Sequence, residues 1–244
     1  MLDDLRVATK NQDDWTRFES LLSELSRNAT EHNIEACESN ATQAFCIAAK
    51  TGSPMMMATV NLQLALAYLL VHRFNPALKE FRKATVKARA SKVKDSSLSA
   101  KLEVQALSGE GAVFFAMEKY AVAKEVYKEA AEIADRAGLY LSAMDGWFMA
   151  SVCYEILGRF GDAYCCCESA LLEGEKMPKV ERHKESFAQV GDSLLRITDQ
   201  LKTDGITELS VQMFRSKEDV DQRLAELIGR NWREYVPRKV RERT

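Results

Sequence analysis

The stretch Asn61-Leu62-Gln63-Leu64-Ala65-Leu66-Ala67-Tyr68, then His72-Arg73-Phe74-Asn75-Pro76-Ala77, then Phe81-Arg82-Lys83-Ala84 and Ala88, decides the fold. It reads as two helices joined by a short basic-aromatic turn, and it recurs. The second copy runs Leu107-Ser108-Gly109-Glu110-Gly111-Ala112-Val113-Phe114, Glu118-Lys119-Tyr120-Ala121-Val122-Ala123, Tyr127-Lys128-Glu129-Ala130 and Ala134. The third runs Trp147-Phe148-Met149-Ala150-Ser151-Val152-Cys153-Tyr154, Gly158-Arg159-Phe160-Gly161-Asp162-Ala163, Cys167-Glu168-Ser169-Ala170 and Gly174. A degenerate copy precedes them, with Trp15, Phe18, Leu21, Leu22 and Leu25 on its first helix and Cys37, Ala41, Ala44 and Ala48 on its second.

The spacing has a physical reason. Small residues at Ala65, Gly111 and Ser151 opposite Ala77, Ala123 and Ala163 let two antiparallel helices approach closely. Aromatic residues at Tyr68, Phe114 and Tyr154 fill the space between one hairpin and the next. A single hairpin leaves one apolar face wet, so such units are stable only when stacked. Punctuation agrees with this reading. Gly52, Gly138 and Gly158 fall where a helix should end in a left-handed residue, and Ser53-Pro54 and Asn75-Pro76 read as an N-cap with proline at the first helical position.

The pattern resembles the tetratricopeptide repeat, with its bulky residue, Leu-Gly pair, Tyr, Ala, Phe and Ala at matching offsets over roughly residues 13–177. The periods are longer than the family's ~34 residues: Ala44, Ala84, Ala130 and Ala170 are separated by 40, 46 and 40. The resemblance implies an all-α, right-handed solenoid of stacked helix pairs. The expected organisation is a repeat array over 1–178 (a degenerate repeat at 13–52, then 55–91, 98–137 and 140–177), a capping helix over 179–203, and a helical extension with a basic tail over 204–244.

The capping helix is read from Phe187, Val190, Leu194, Ile197 and Leu201, one apolar stripe at steps of three and four. Thr203-Asp204-Gly205 should break it. After a short segment to Phe214, Ser216-Lys217-Glu218-Asp219 resembles a capping box opening a last amphipathic helix through Val220, Leu224, Leu227, Ile228, Trp232 and Tyr235. That helix either folds back or meets a partner, and it is a candidate homodimer surface.

Composition bounds the function. The 244 residues are 46% hydrophobic and 29% charged, with a formal net charge of −2, so no global field recruits nucleic acid. Four prolines and eleven glycines suit long helices. The one charge-biased stretch carries Arg238, Lys239, Arg241 and Arg243, interrupted by Glu242, too few charges for tight nucleic-acid binding. No apolar run reaches the ~20 residues of a membrane span, and Met1-Leu2-Asp3-Asp4-Leu5-Arg6 does not read as a secretory signal. Six cysteines without framework spacing suggest reduced thiols in a cytosolic protein.

Chemistry-bearing motifs are missing. No Gly-rich phosphate loop, zinc-binding His-Glu-x-x-His or Gly-x-Ser-x-Gly elbow occurs, and His32, His72 and His183 lie far apart in sequence. Cys165, Cys166 and Cys167 point about 100° apart on a helix and cannot converge on one ion without other ligands. Cys167 holds a core position of the repeat. The expectation is a non-enzyme with no metal or cofactor.

The resemblance also implies a partner-binding concave face built from the first helices. Carried over position by position, it comprises Leu62, Leu66 and Leu69, then Gln105, Ser108, Ala112 and Phe115, then Asp145, Phe148, Val152 and Glu155. Members that clamp a chaperone's C-terminal carboxylate have Lys, Arg and Asn at positions that here hold Leu62, Ser108, Phe148, Leu66, Ala112 and Val152. Without cations that clamp is absent. What is left is an apolar face for an amphipathic helix or extended apolar segment, or for the chain's own terminal helix. Scaffold or adaptor, secretion chaperone for an apolar segment, and peptide-sensing regulator are the functions it admits.

Overall fold

The computed structural model describes residues 12–91, 96–203 and 217–236. Among them ten α-helices run in chain order: α1 (Gln12–Thr30), α2 (Ile34–Thr51), α3 (Pro54–Leu70), α4 (Phe74–Ala90), α5 (Ser96–Ala116), α6 (Tyr120–Arg136), α7 (Tyr140–Ile156), α8 (Phe160–Lys176), α9 (Lys184–Thr203) and α10 (Lys217–Ile228). Short 3-10 turns occupy Lys179–Glu181 and Trp232–Tyr235. The helices pack as sequential antiparallel pairs, so the all-α expectation holds. The basic tail, the approach through Phe214 and Ser216, and the break at Asp204-Gly205 lie outside the described residues.

One main-chain device closes the hairpins. At six turns a residue enters the left-handed region: His32 (φ 57°), Gly52 (65°), His72 (56°), Glu118 (58°), Gly138 (70°) and Gly158 (70°). The next amide then reaches back to the final turn of the preceding helix. Asn33 N bonds Asn28 O at 2.9 Å, Arg73 N bonds Tyr68 O at 2.8 Å, Lys119 N bonds Phe114 O at 2.9 Å, and Arg159 N bonds Tyr154 O at 2.9 Å. This satisfies carbonyls that a helix end would otherwise orphan. Two of the histidines are therefore turn residues.

The chain divides into two compact units, Met1–Lys119 and Tyr120–Thr244. The boundary separates α5 from α6, the two helices of the expected 98–137 repeat.

In the first unit α3 is the central helix, contacting α1, α2, α4 and α5. Its sequence is apolar all round, as a helix with neighbours on every side requires. Ser53 caps it by accepting from Met56 N at 3.3 Å. The other proposed cap is corrected: α4 begins at Phe74, two residues before Pro76, and Arg73 makes no side-chain cap. Here the left-handed turn at His72 sets the start of the helix, and proline is tolerated within the first turn, where amides have no intrahelical acceptor. Ala65 and Ala77 are fully buried where α3 and α4 meet. Polar links then fix each helix to its neighbours. Tyr68 Oη donates to Glu38 at 2.8 Å, Asn61 to Glu80 at 2.6 Å, Arg82 to Glu110 at 2.8 Å and Arg89 to Glu103 at 2.6 Å.

In the second unit α7 lies between α6 and α8, and α9 packs on α8. Ser151 and Ala163 are fully buried, and the Cys167 thiol, also fully buried, donates to Ser151 Oγ at 3.2 Å. Cys167 is a core residue. Burial raises the Cys166 thiol to about 12, and among the described residues no group of His, Cys, Asp and Glu is placed to hold a metal.

The last helix folds back. Leu224, Trp232 and Val220 are buried, and Leu224 rests on the bare backbone of Gly191 in α9. Arg223 spans Glu175 at 2.5 Å and Glu168 at 2.8 Å on α8. Arg182 donates to Met177 O, Glu175 O and Leu227 O, joining the C-terminal ends of α8 and α10. One expectation is corrected here. The helix ends at Ile228, because Gly229 (φ 106°) breaks it before the Trp232 turn. The Trp232 ring is 2% exposed and packs within its own chain.

Candidate partner-binding faces

The eleven positions singled out from sequence divide between the units. Leu62, Leu66, Leu69, Gln105, Ser108, Ala112 and Phe115 lie on α3 and α5 of the first unit, and Asp145, Phe148, Val152 and Glu155 lie on α7 of the second.

On α3 the central position of the helix decides which side chains see solvent. Leu62 is 4% exposed and belongs to the core, a correction: flanked on every side, α3 has only a narrow open edge. Leu66 is on that edge at 38% exposed, and Leu69 is half-buried. α5 contacts α3 and adds half-buried Ser108, Ala112 and Phe115, with Gln105 exposed. None of these seven carries a charge, so the face offers van der Waals contact rather than an ion-pair clamp. The sequence reading missed Leu70, 47% exposed one turn beyond Leu66. The helical step from Leu66 was the signal that would have found it.

On α7, Asp145 is exposed while Phe148 and Val152 are half-buried. Glu155 is corrected as an open contact. Arg196 of α9 pairs with it at 2.8 Å and is itself steadied by Asp192 at 3.3 Å and Ser193 at 2.7 Å. Glu155 thus serves to join the capping helix to α7, and its Oε1 is buried. Only the packing of α9 reveals this, since residues 155 and 196 are 41 apart in sequence. Beyond Val152 the helix ends with two exposed apolar side chains, Ile156 at 49% and Leu157 at 40%.

Near the first face, burial and the Glu38 acceptor raise the Tyr68 hydroxyl to about 12. It remains a neutral donor across the physiological range, a structural role. Among the described residues no helix is long and apolar enough to cross a membrane.

No family model and no curated protein sequence matches the chain. Chains of known structure do match. One is BtubC (BKLC) from P. vanneervenii, 15% identical, covering 86% of this chain and 90% of that one with a TM-score of 0.53. The chain therefore resembles a tetratricopeptide-like solenoid in fold, a likeness of architecture alone.

Proposed function

We propose that the chain is a cytosolic, non-enzymatic interaction module that holds an apolar segment of a partner protein against α3 and α5. The observation that supports this is the pair Leu66 and Leu70, 38% and 47% exposed one turn apart, beside half-buried Phe115 and Ala112. Large apolar side chains left open in a row on an otherwise well-packed helix mark a surface that gains by being covered. The ligand that fits is an amphipathic helix or extended apolar strand, docked by shape and hydrophobic contact. Phe148, Val152 and Ile156 on α7, with Leu157 just past its end, offer a second apolar surface of the same kind.

The test is differential capture from native lysate by the full chain and by Leu66→Asp and Leu70→Asp. Both positions are open enough to accept a carboxylate, at a helix-propensity cost of about 0.5 kcal/mol. Partners retained by the wild type should be lost by both variants while the far-ultraviolet circular dichroism is unchanged. Identical capture by all three proteins would refute the assignment. Loss of the helical signal in both would make these residues part of the core instead.

A further inference from the structure

The second unit carries a cleft away from the positions discussed above. Its walls come from three helices: Glu132, Asp135 and Arg136 at the end of α6, Trp147 from α7, and Ser169, Leu172 and Glu173 from α8. Its volume is about 200 Å³, below the range of small-molecule pockets and suited to one long side chain.

Two chemistries meet there. Trp147, half-buried, and Leu172, 49% exposed, give an apolar lining that nothing in the unit covers completely. Around it stand three carboxylates. Asp135 and Glu173 share the single ammonium of Lys176, at 2.6 Å and 2.8 Å. Glu132 is exposed and makes no ion pair with any described residue. Arg136 is the other cation of the rim, so three carboxylates face two positive charges. Burial raises the Glu173 carboxyl above its ordinary range, while the hydrogen bond from Lys176 lowers that of Asp135.

We propose that this cleft binds an arginine side chain of a partner polypeptide, with the aliphatic stem along Leu172 and Trp147 and the guanidinium at Glu132. A guanidinium is planar, stacks on indole and bonds a carboxylate through two parallel N–H groups, so it answers both chemistries at once. An alkyl group would leave Glu132 unmet, and an ammonium stacks less well and cannot form the two-point bond. The site is independent of Leu66 and Leu70, so either assignment stands or falls without the other.

The test is an indole N–H nuclear magnetic resonance titration of the full chain with acetyl-Ala-Arg-Ala-amide. The citrulline peptide, equal in shape and uncharged, and the lysine peptide are the other arms. Trp15 and Trp232 are 4% and 2% exposed, so they serve as internal controls, and Trp147→Phe assigns the reporting resonance. A single buried side chain supports roughly millimolar affinity. The arginine peptide should therefore shift the Trp147 resonance saturably in that range. Citrulline should produce no saturable shift and lysine a weaker one. Glu132→Gln, at an exposed position, should weaken arginine binding by about tenfold, the loss of one charge-assisted contact. No saturable shift, an equal response to citrulline, or unchanged binding in Glu132→Gln would overturn the proposal.

Discussion

Gly109→Ala examines the packing of the first unit at its tightest point. A Cβ at Gly109 would lie 2.2 Å from Cε1, 2.4 Å from Cζ and 2.8 Å from Cδ1 of Phe81. Carbon atoms settle ~3.5–4.0 Å apart, so three atoms of one ring are each overlapped by about 1 Å or more. The ring is fully buried. Either α4 and α5 separate or the ring leaves its rotamer, and overpacking of this kind costs about 3 kcal/mol at the upper end of its range. Alanine returns about 1 kcal/mol as the better helix former. The net expectation is a loss of about 2 kcal/mol, or a fall of some ~4–8 °C in Tm for a chain of this size. Urea titration of the intact chain, followed by circular dichroism, measures it, with separate fits if the two units unfold in sequence. Phe81→Leu removes the clashing ring edge, so the double variant should recover at least about 1 kcal/mol relative to additivity. A Gly109→Ala protein more stable than wild type, or strict additivity with Phe81→Leu, would refute the reasoning.

Other outcomes follow from the same structure. His72→Gly and Glu118→Gly, which relieve left-handed backbone at φ 56° and 58°, should each stabilise by about 0.5–1 kcal/mol in thermal melts. Arg223→Ala strips Glu168 and Glu175 of their shared cation and should cost about 2 kcal/mol; faster hydrogen exchange confined to Lys217–Ile228 and its α8 and α9 contacts would show it. With a thiol reagent near neutral pH, the exposed Cys46 and Cys165 should react at once and the buried Cys37, Cys153, Cys166 and Cys167 only after denaturation. Stability should fall as pH rises above 9. The native Cys153 and Cys166 thiols titrate only at about 11 and about 12, and Tyr68 at about 12. Above the ordinary values of these groups the unfolded chain sheds protons that the folded chain retains, which favours unfolding. A flat alkaline limb would contradict the burial of these groups.

The helices and the hairpin positions were legible because they depend on local spacing. Small residues recur where two helices touch, and Gly52, Gly138 and Gly158 mark helix ends that the structure confirms as left-handed. Position on the inner edge was less legible. Leu62 and Leu66 occupy neighbouring turns of one apolar helix, and only the placement of α1, α2, α4 and α5 around α3 separates a core residue from an exposed one. Glu155 reads as a free carboxylate until α9 brings Arg196 to it. The Trp232 segment was ambiguous for the same reason. An amphipathic stripe specifies that something covers it but not what. The notch in α5 that receives Phe81 also escaped notice, because Gly109 lies two residues from Gly111, the position that the repeat pattern itself marks.

The loops between helices hold a different lesson. The turns at His32, Gly52, His72, Glu118, Gly138 and Gly158 are fastened by peptide groups bonding to peptide groups, and the apex residue is histidine, glutamate or glycine without change of shape. Because the knot is tied by main-chain atoms, more than one residue type can stand at these apices while the path of the chain persists. A fold of paired helices is accordingly compatible with very different sequences, as the 15% identity to BtubC illustrates.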